Sequence, residues 1–289
     1  MYKSGFVNIF GRPNAGKSTL LNALTGERLA IISPKVQTTR HRIKAFMNGD
    51  DYQIILSDTP GIIKPEYRLH EKMMHSVKNS LEDADVALLL ADVNDDPEKM
   101  HEVFISLKLR VPTILLLNKT DKIKPEKLKD IIAFFSDKPY GKEIMPISAL
   151  KGFDGQKLID AILKWLPEGE PFYDPEDLTD LPQRFFAAEM VREKIYELYD
   201  QEIPYQTTVL VRAFEEKNTL IKITADIIVQ RESQKGIILG DKGAMIKKLG
   251  TLSRLSLESF LDSKVFLELF VKVRPKWREN DMFLKEYGY

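Results

Sequence analysis

The first 165 residues alternate short apolar runs with longer amphipathic stretches. Unbroken apolar runs such as ILLLN at 114–118 are typical of strands buried on both faces. The alternation predicts an α/β fold, in which helices cover both faces of a doubly wound parallel sheet. The predicted strands are 7–10, 43–47, 53–57, 86–91, 113–117 and 144–147, and the predicted helices are 17–25, 71–82, 98–108, 125–135 and 154–165.

The pattern changes after a stretch that is rich in proline and acid. Residues 168–180 hold six acidic residues and no basic one, a composition that neither a helix nor a central strand tolerates. A second, smaller α+β domain follows, with the order helix, strand, strand, helix, helix, strand. We therefore predict a first domain at 1–168, an acidic linker at 169–183 and a second domain at 184–289.

Composition narrows the class of protein. The formal net charge is +0 and cysteine is absent, which excludes disulfides and thiolate metal sites. His70 and His75 are five residues apart and not the four that place two ligands on one helical face, so we expect a plain surface helix there. No apolar run reaches the length of a membrane span, and we expect a cytoplasmic protein.

Residues 11–18, GRPNAGKS, follow the first predicted strand, open a helix and match the phosphate-binding loop G-x-x-x-x-G-K-[ST]. The glycines let backbone N–H groups face the phosphates, Lys17 would neutralise the β and γ oxygens, and Ser18 would ligate Mg²⁺. The chain is thus predicted to be a P-loop NTPase. The predicted contacts are Gly11, Arg12, Pro13, Asn14, Ala15, Gly16, Lys17, Ser18 and Thr19.

Three sequences at later strand ends resemble motifs of the GTPase superfamily. Asn118-Lys119-Thr120-Asp121 resembles NKxD, which implies that Asp121 reads guanine, Asn118 ties loops together and Lys119 lies over the base. Ser148-Ala149 matches the remaining base-contacting loop. Each sequence alone is a common turn, but the carboxyl ends of parallel strands are where such sheets bind ligands. The resemblance implies GTP and GDP as the bound nucleotides.

The third of these sequences, Asp58-Thr59-Pro60-Gly61, resembles DxxG, in which the aspartate holds Mg²⁺ through water and the glycine senses the γ-phosphate. Gln37-Thr38-Thr39-Arg40 resembles a first switch, so Thr39, with Thr38 as its rival, would complete the Mg²⁺ shell. Ile62 stands where Ras-like members have a water-orienting glutamine.

Asn14 adds a further expectation about hydrolysis. In relatives that lack the glutamine, an asparagine at this place in the loop helps to hold K⁺, and simple loop packing is the alternative. The resemblance therefore implies a catalytic group made of Lys17, Thr39, Asp58, Gly61 and Asn14.

Gly240-Asp241-Lys242-Gly243 lies between two predicted helices of the second domain. Residues 231–254 hold six basic residues against two acidic ones, so positive charge collects around this loop. The segment resembles a type II KH domain, whose GXXG loop clamps about four nucleotides of single-stranded RNA. The expected RNA contacts are Ile237, Ile238, Gly240, Asp241, Lys242, Gly243, Lys247 and Lys248.

Together, these motifs resemble the Era family of GTPases along essentially the whole chain. The resemblance implies binding to the 3′ end of 16S ribosomal RNA and a role in 30S subunit assembly, with coupling between nucleotide state and RNA binding. The residues alone indicate a GTPase joined to a single-stranded RNA module. Two alternatives stay open: a membrane- or protein-recruiting switch at the inner face of the membrane, and an ATP-driven RNA remodeller.

Overall fold

The computed structural model describes all 289 residues, and these form two compact units. The first unit contains residues 1–64 and 73–180, and the second contains residues 65–72 and 181–289. No helix in the chain combines the length and the apolar character that crossing a membrane requires.

A six-stranded sheet with the order β2-β3-β1-β4-β5-β6 forms the centre of the first unit. Its strands are β1 (Lys3–Phe10), β2 (Ile43–Gly49), β3 (Tyr52–Asp58), β4 (Val86–Asp92), β5 (Thr113–Asn118) and β6 (Ile144–Pro146). The helices are α1 (Lys17–Thr25), α2 (Arg68–Glu82), α3 (Pro97–Ser106), α4 (Pro125–Ser136) and α5 (Gly155–Leu163), of which the first five residues of α2 fall in the second unit. The predicted α/β class is confirmed.

One edge of this sheet differs from the prediction. Strand β2 runs antiparallel to β3, whereas the other neighbouring strands are parallel. Only Asp50 and Asp51 separate β2 from β3, and a connection of two residues permits a hairpin but no crossover. The prediction of an all-parallel sheet was therefore wrong at this edge.

Burial explains why the remaining strands form the core. Leu88, Leu89, Leu115 and Leu116 are fully buried, as expected for central strands with helices on both faces. Strand β1 lies between β3 and β4, so β2 and β3 lie on one side of β1 in the sheet and β4, β5 and β6 lie on the other. Loops that follow neighbouring parallel strands thus meet at one edge.

Residues 169–180, which the sequence places in an acidic linker, pack against the first unit. The Gln53 side chain accepts a hydrogen bond from Tyr173 N at 3.0 Å and donates one to Tyr173 O at 2.9 Å. The Tyr173 ring stacks on Phe46 with 3.9 Å between centroids, and Lys44 Nζ lies 2.7 Å from Asp180 Oδ2. The segment is therefore held along β2 and β3.

The second unit combines a three-stranded sheet, order β7-β8-β9, with helices. Its elements are α6 (Gln183–Leu198), α7 (Ile203–Gln206), β7 (Thr208–Lys217), β8 (Leu220–Val229), α8 (Glu232–Leu239), α9 (Ala244–Leu261), β9 (Val265–Val273) and α10 (Asp281–Glu286). Strands β7 and β8 are antiparallel, and β8 and β9 are parallel. An apolar core that includes Ile223, Ile227, Leu249 and Leu257 fills this unit.

Trp277, in the basic segment after β9, is part of the packed interior. Its side chain is 0% exposed, and its Nε1 donates to Gln206 O at 3.0 Å. The rings of Tyr287 and Tyr289 lie 5.8 and 6.3 Å from it between centroids. Trp277 is therefore a structural residue of the second unit.

We expect Trp277→Ala to lower the free energy of unfolding by about 3–5 kcal/mol, because it empties a large buried volume and leaves Gln206 O without its donor. Urea unfolding followed by circular dichroism measures the change. Trp165→Ala is the matched control, since Trp165 is 48% exposed and its loss should cost far less. Equal losses in the two variants would contradict the structural assignment.

Candidate functional site

The loop between β1 and α1 has the backbone geometry that phosphate binding requires. Gly16 adopts φ 102°, and a Cβ there would lie 2.3 Å from Asn118 Nδ2. A Cβ at Gly11 would lie 2.4 Å from Leu90 O. Neither position can hold a side chain, so both glycines of the motif are required by the close approach of neighbouring strands and loops.

Lys17 begins α1 and lies buried beneath this loop. Its Nζ donates to Gly11 O at 3.1 Å and to Arg12 O at 3.0 Å. Burial lowers the pKa of Lys17 to about 8, and the nearby Asp58 carboxylate opposes that shift. The ammonium is thus held inside the loop, where bound phosphate oxygens would restore the electrostatic stabilisation that burial removes.

Three oxygen-bearing side chains converge beside Lys17. Ser18 Oγ donates to Asp58 Oδ2 at 2.6 Å, Thr39 Oγ1 donates to the same oxygen at 3.1 Å, and the two hydroxyls are 2.9 Å apart. Thr38 Oγ1 instead donates to Lys35 O at 2.7 Å, so the geometry favours Thr39 over its rival.

This cluster fits Mg²⁺. Asp58 Oδ1 is buried and has no hydrogen-bond partner, although burial itself raises the pKa of this carboxyl and favours its neutral form. Two hydroxyls and a carboxylate are the hard oxygen donors that Mg²⁺ prefers. A divalent cation beside Asp58 would stabilise the carboxylate and provide the partner that Oδ1 lacks.

The segment after Asp58 is packed against the phosphate loop. Thr59 Oγ1 donates to Ile9 O at 2.7 Å, and a Cβ at Gly61 would lie 2.8 Å from Pro13 atoms. Ile62 N donates to Gly11 O at 3.2 Å, while its side chain packs against the apolar core. An aliphatic side chain in this position cannot orient an attacking water.

The Asn118 side chain connects the loops that would hold the base. Its Nδ2 donates to Ala15 O at 2.8 Å, and its Oδ1 accepts from Ala149 N at 2.9 Å. Ser148 Oγ donates to Asp121 Oδ1 at 2.6 Å and thereby orients that carboxylate. The loops after β1, β5 and β6 are joined in this way around one cleft.

Lys119 lies at the same cleft in a left-handed conformation, φ 65°. Its Nζ donates to Asn14 O at 2.7 Å and to Asp92 Oδ2 at 2.6 Å. Sequence reasoning missed Asp92, although its place at the carboxyl end of β4 was a usable signal. Asp92 holds the lysine stem along the cleft.

The cleft has a volume of about 310 Å³. Ile31, Ile32 and Leu150, which the motifs do not include, also line it, and the last two are 43% and 71% exposed. The predicted residues on its wall are Pro13, Asn14, Gly16, Lys17, Ser18, Thr19, Thr39, Gly61, Asn118, Lys119, Asp121 and Ser148. Those that are not on the wall are Gly11, Arg12, Ala15, Asp58, Thr59, Pro60 and Ala149.

Asn14 links the phosphate loop to the loop before β2. It has φ 62°, and its Nδ2 donates to Pro34 O at 2.7 Å. Loop packing, which was the alternative to a K⁺ ligand, is thus present. Its amide oxygen is the atom that a cation would use.

The second unit presents a separate candidate site at the turn between α8 and α9. Gly240 has φ 69°, Lys242 φ 47° and Gly243 φ 79°, and a Cβ at Gly240 would lie 2.6 Å from Met245 Cγ. The side chains of Asp241, Lys242, Lys247 and Lys248 are exposed around this turn. Left-handed backbone and surrounding lysines suit a loop that approaches phosphates closely.

One expected RNA contact was wrong. Ile238 is 0% exposed and belongs to the apolar core, whereas Ile237 is 50% exposed. Adjacent residues of a helix point about 100° apart, so α8 directs one isoleucine inward and the other outward. Only Ile237 can offer its side chain to a base.

Comparison with known proteins shows two domains in the chain. A family model described as "50S ribosome-binding GTPase" matches residues 6–119, and a "KH domain" model matches residues 202–278. GTPase Era of Clostridium botulinum (strain Alaska E43 / Type E3) is 44% identical over 292 residues, covering 100% of this chain and 99% of the relative. GTPase Era of Geobacter sp. (strain M21) is 46% identical, covering 100% and 98%. The chain belongs to the Era family of GTPases.

Two solved Era structures have the same fold along their whole length. Era in complex with MgGDPNP and nucleotides 1506–1542 of 16S ribosomal RNA has a TM-score of 0.94 at 42% identity, covering 100% of this chain and 99% of that one. A point variant of Aquifex aeolicus Era bound to GDP·AlF4⁻ has a TM-score of 0.94 at 41% identity, covering 99% of each chain. The G-domain and KH-domain predictions are confirmed.

We expect Asp121→Asn to weaken GDP binding by at least tenfold and to strengthen XDP binding. If Asp121 reads the base as predicted, the carboxylate that would accept from the guanine N–H groups becomes an amide, which can donate to the xanthine carbonyl instead. Calorimetry with both nucleotides measures the exchange. Asp95→Asn is the control, because Asp95 pairs with Arg12 at the rim and its loss should leave the preference for guanine unchanged. A variant at Asp121 that still prefers GDP would refute the assignment.

Proposed function

We propose that this chain binds and hydrolyses GTP with Mg²⁺ and binds single-stranded RNA at the 3′ end of 16S ribosomal RNA, acting in assembly of the 30S subunit. The Asn118 cross-link, which brings the phosphate loop and both base loops to one cleft, is the observation that carries the nucleotide assignment. A solved relative that holds MgGDPNP and this RNA supports the pairing of the two ligands. Because the proposed partner is ribosomal RNA, we also propose a cytoplasmic location for this protein.

In this proposal Ser18, Thr39 and Asp58 hold Mg²⁺, with Asp58 acting through water. The cation neutralises charge that develops on the phosphates. Lys17 contributes an ammonium at the β and γ oxygens, and the amide of Gly61 senses the γ-phosphate. Residues 28–41 and 60–70, of which the last three begin α2, would become ordered by these contacts and be released when the γ-phosphate leaves.

Asn14 supplies a further part of the proposed hydrolysis. Because Ile62 cannot orient water, hydrolysis must be organised differently, and a cation that stabilises the charge of the transition state is one way to do so. Asn14 belongs to the phosphate loop, and its amide nitrogen donates to Pro34 O, so its amide oxygen is pre-positioned for a monovalent cation. We propose K⁺ at this place.

GTP turnover should therefore be at least fivefold faster in KCl than in NaCl at equal ionic strength. Asn14→Ala should remove this difference, and Asn94→Ala, in the loop after β4, is the control that should preserve it. Phosphate release under single-turnover conditions is the measurement. Equal rates of the unmodified chain in both salts would remove K⁺ from the mechanism.

The RNA assignment rests on the turn at 240–243. In it Gly240 and Gly243 carry no Cβ to block a phosphate, Lys242 is exposed at the tip, and Lys247 and Lys248 extend the positive surface along α9. Exposed Ile237 offers an apolar contact to a base. A clamp on the backbone with a short apolar strip beside it is the arrangement by which KH domains bind single strands.

Coupling between the two ligands is supported by the segment that follows Gly61. Residues 65–72 belong to the second unit, where Arg68 Nε donates to Asp281 Oδ1 at 2.9 Å. Within the same unit the Arg278 guanidinium lies 4.1 Å from the Tyr67 ring centroid. A γ-phosphate that reorders residues 60–64 would therefore strain or release a segment packed in the RNA-binding unit.

Binding of nucleotides 1506–1542 of 16S ribosomal RNA should change GTP turnover of the full chain, because coupling between ligands is reciprocal. Gly240→Ala should weaken the RNA by about tenfold, since it forces a side chain into left-handed backbone and onto Met245. Gly236→Ala is the matched control, because this glycine is helical and a Cβ there meets open space.

Filter binding across a salt series and phosphate release measure the two quantities. Gly240→Asp, which adds charge repulsion, should abolish both the RNA affinity and the change in turnover. RNA that binds without altering turnover would refute the coupling, and failure of the unmodified chain to bind RNA would refute the RNA assignment and favour a protein- or membrane-recruiting switch.

A further inference from the structure

The carboxyl end of α8 is completed by a side chain from another element. An α-helix leaves its last carbonyls without intrahelical donors. Here Gly240 N donates to Gly236 O at 2.9 Å, and the carbonyl of Ile238, in the last turn, accepts from the Tyr199 hydroxyl at 2.9 Å. Tyr199 directly follows α6 and is only 4% exposed.

This hydrogen bond stands at the point where the chain leaves the helix. If α8 continued, the Ile238 carbonyl would accept from the N–H of Lys242. Lys242 instead has φ 47°, in the left-handed region, and forms the tip of the turn. The tyrosine hydroxyl thus replaces the helical donor and leaves the loop backbone free to adopt the left-handed conformation.

The amino end of α8 is held in a similar way. Gln234 is 1% exposed, and its Oε1 accepts from Gln230 N at 2.9 Å and Arg231 N at 3.2 Å. Its Nε2 donates to Gln206 Oε1 at 2.6 Å. Buried polar contacts therefore fix both ends of the short helix that carries Ile237 and leads into Gly240.

We propose that Tyr199 is a positioning residue of the RNA site, whose hydroxyl sets the end of α8 and thereby pre-orders the 240–243 turn for the RNA backbone. This inference deepens the proposed RNA binding and rests on it. A turn that is ordered before binding avoids the entropic cost of ordering it in the complex. The hydroxyl is a donor at neutral pH, since burial raises the pKa of Tyr199 to about 12.

The test compares full-length Tyr199→Phe with Ile195→Val. The first removes only the hydroxyl, and the second removes one methylene from the same unit's core, one turn earlier in α6. Both are expected to destabilise the unit mildly. The readouts are the affinity for nucleotides 1506–1542 of 16S ribosomal RNA and, in RNA-free protein, amide hydrogen exchange of residues 240–243 by nuclear magnetic resonance.

Tyr199→Phe should weaken the RNA about fivefold and accelerate exchange in the 240–243 turn, whereas Ile195→Val should change neither relative to the unmodified chain. Tyr199→Phe with unchanged affinity or unchanged exchange would overturn the inference, as would equal effects from Ile195→Val. The unmodified chain separates the two hypotheses: if it binds this RNA and Tyr199→Phe binds equally well, only the positioning role fails. If it binds no RNA, the proposed RNA function fails with it.

Discussion

The nucleotide site depends on the carboxamide of Asn118, which joins three loops that no secondary structure connects. One end of this planar group holds Ala15 O in the phosphate loop, and the other holds Ala149 N after β6. Gly16 is required because a Cβ would occupy the space that this amide fills. Specificity for the base and the binding of phosphate therefore share one hydrogen-bonded support, although their contact residues are about a hundred positions apart in sequence.

Burial of unlike charges gives the site its chemical character. Lys17 and Asp58 are buried. Burial lowers the pKa of Lys17 and raises the pKa of Asp58, and so favours the neutral form of each. Keeping this buried pair charged costs free energy in the protein without a ligand. The pair is preorganised, however, for a ligand that brings both phosphate and a cation. Asp58 Oδ1, which has no hydrogen-bond partner, and the converging hydroxyls of Ser18 and Thr39 are likewise arranged to bind a cation.

In the RNA-binding unit, order is provided by neutral groups. The left-handed turn at 240–243, the proposed RNA contact, exposes its backbone and Lys242, while Tyr199 and Gln234 stabilise α8 from within the unit. These two side chains belong to no motif, because any side chain with a suitable donor or acceptor that reaches the right carbonyl or amide could serve. A search for charged or glycine-rich signatures therefore does not detect them.

Local patterns were sufficient to predict the order of the longer elements, though not the short helices α7 and α10, and to locate the phosphate loop, the loop at 118–121 and the glycine turn. Each of these features depends on residues close in sequence and on backbone constraints of glycine. Strand β2 is antiparallel to β3 because only two residues connect the strands, which is a local constraint. Tertiary packing alone decided that residues 169–180 lie along β2 and β3, that Trp277 and Ile238 face the interior, and that Thr39 rather than Thr38 reaches Asp58. Each of these depends on which distant surfaces meet, and side-chain type along the chain does not encode that directly.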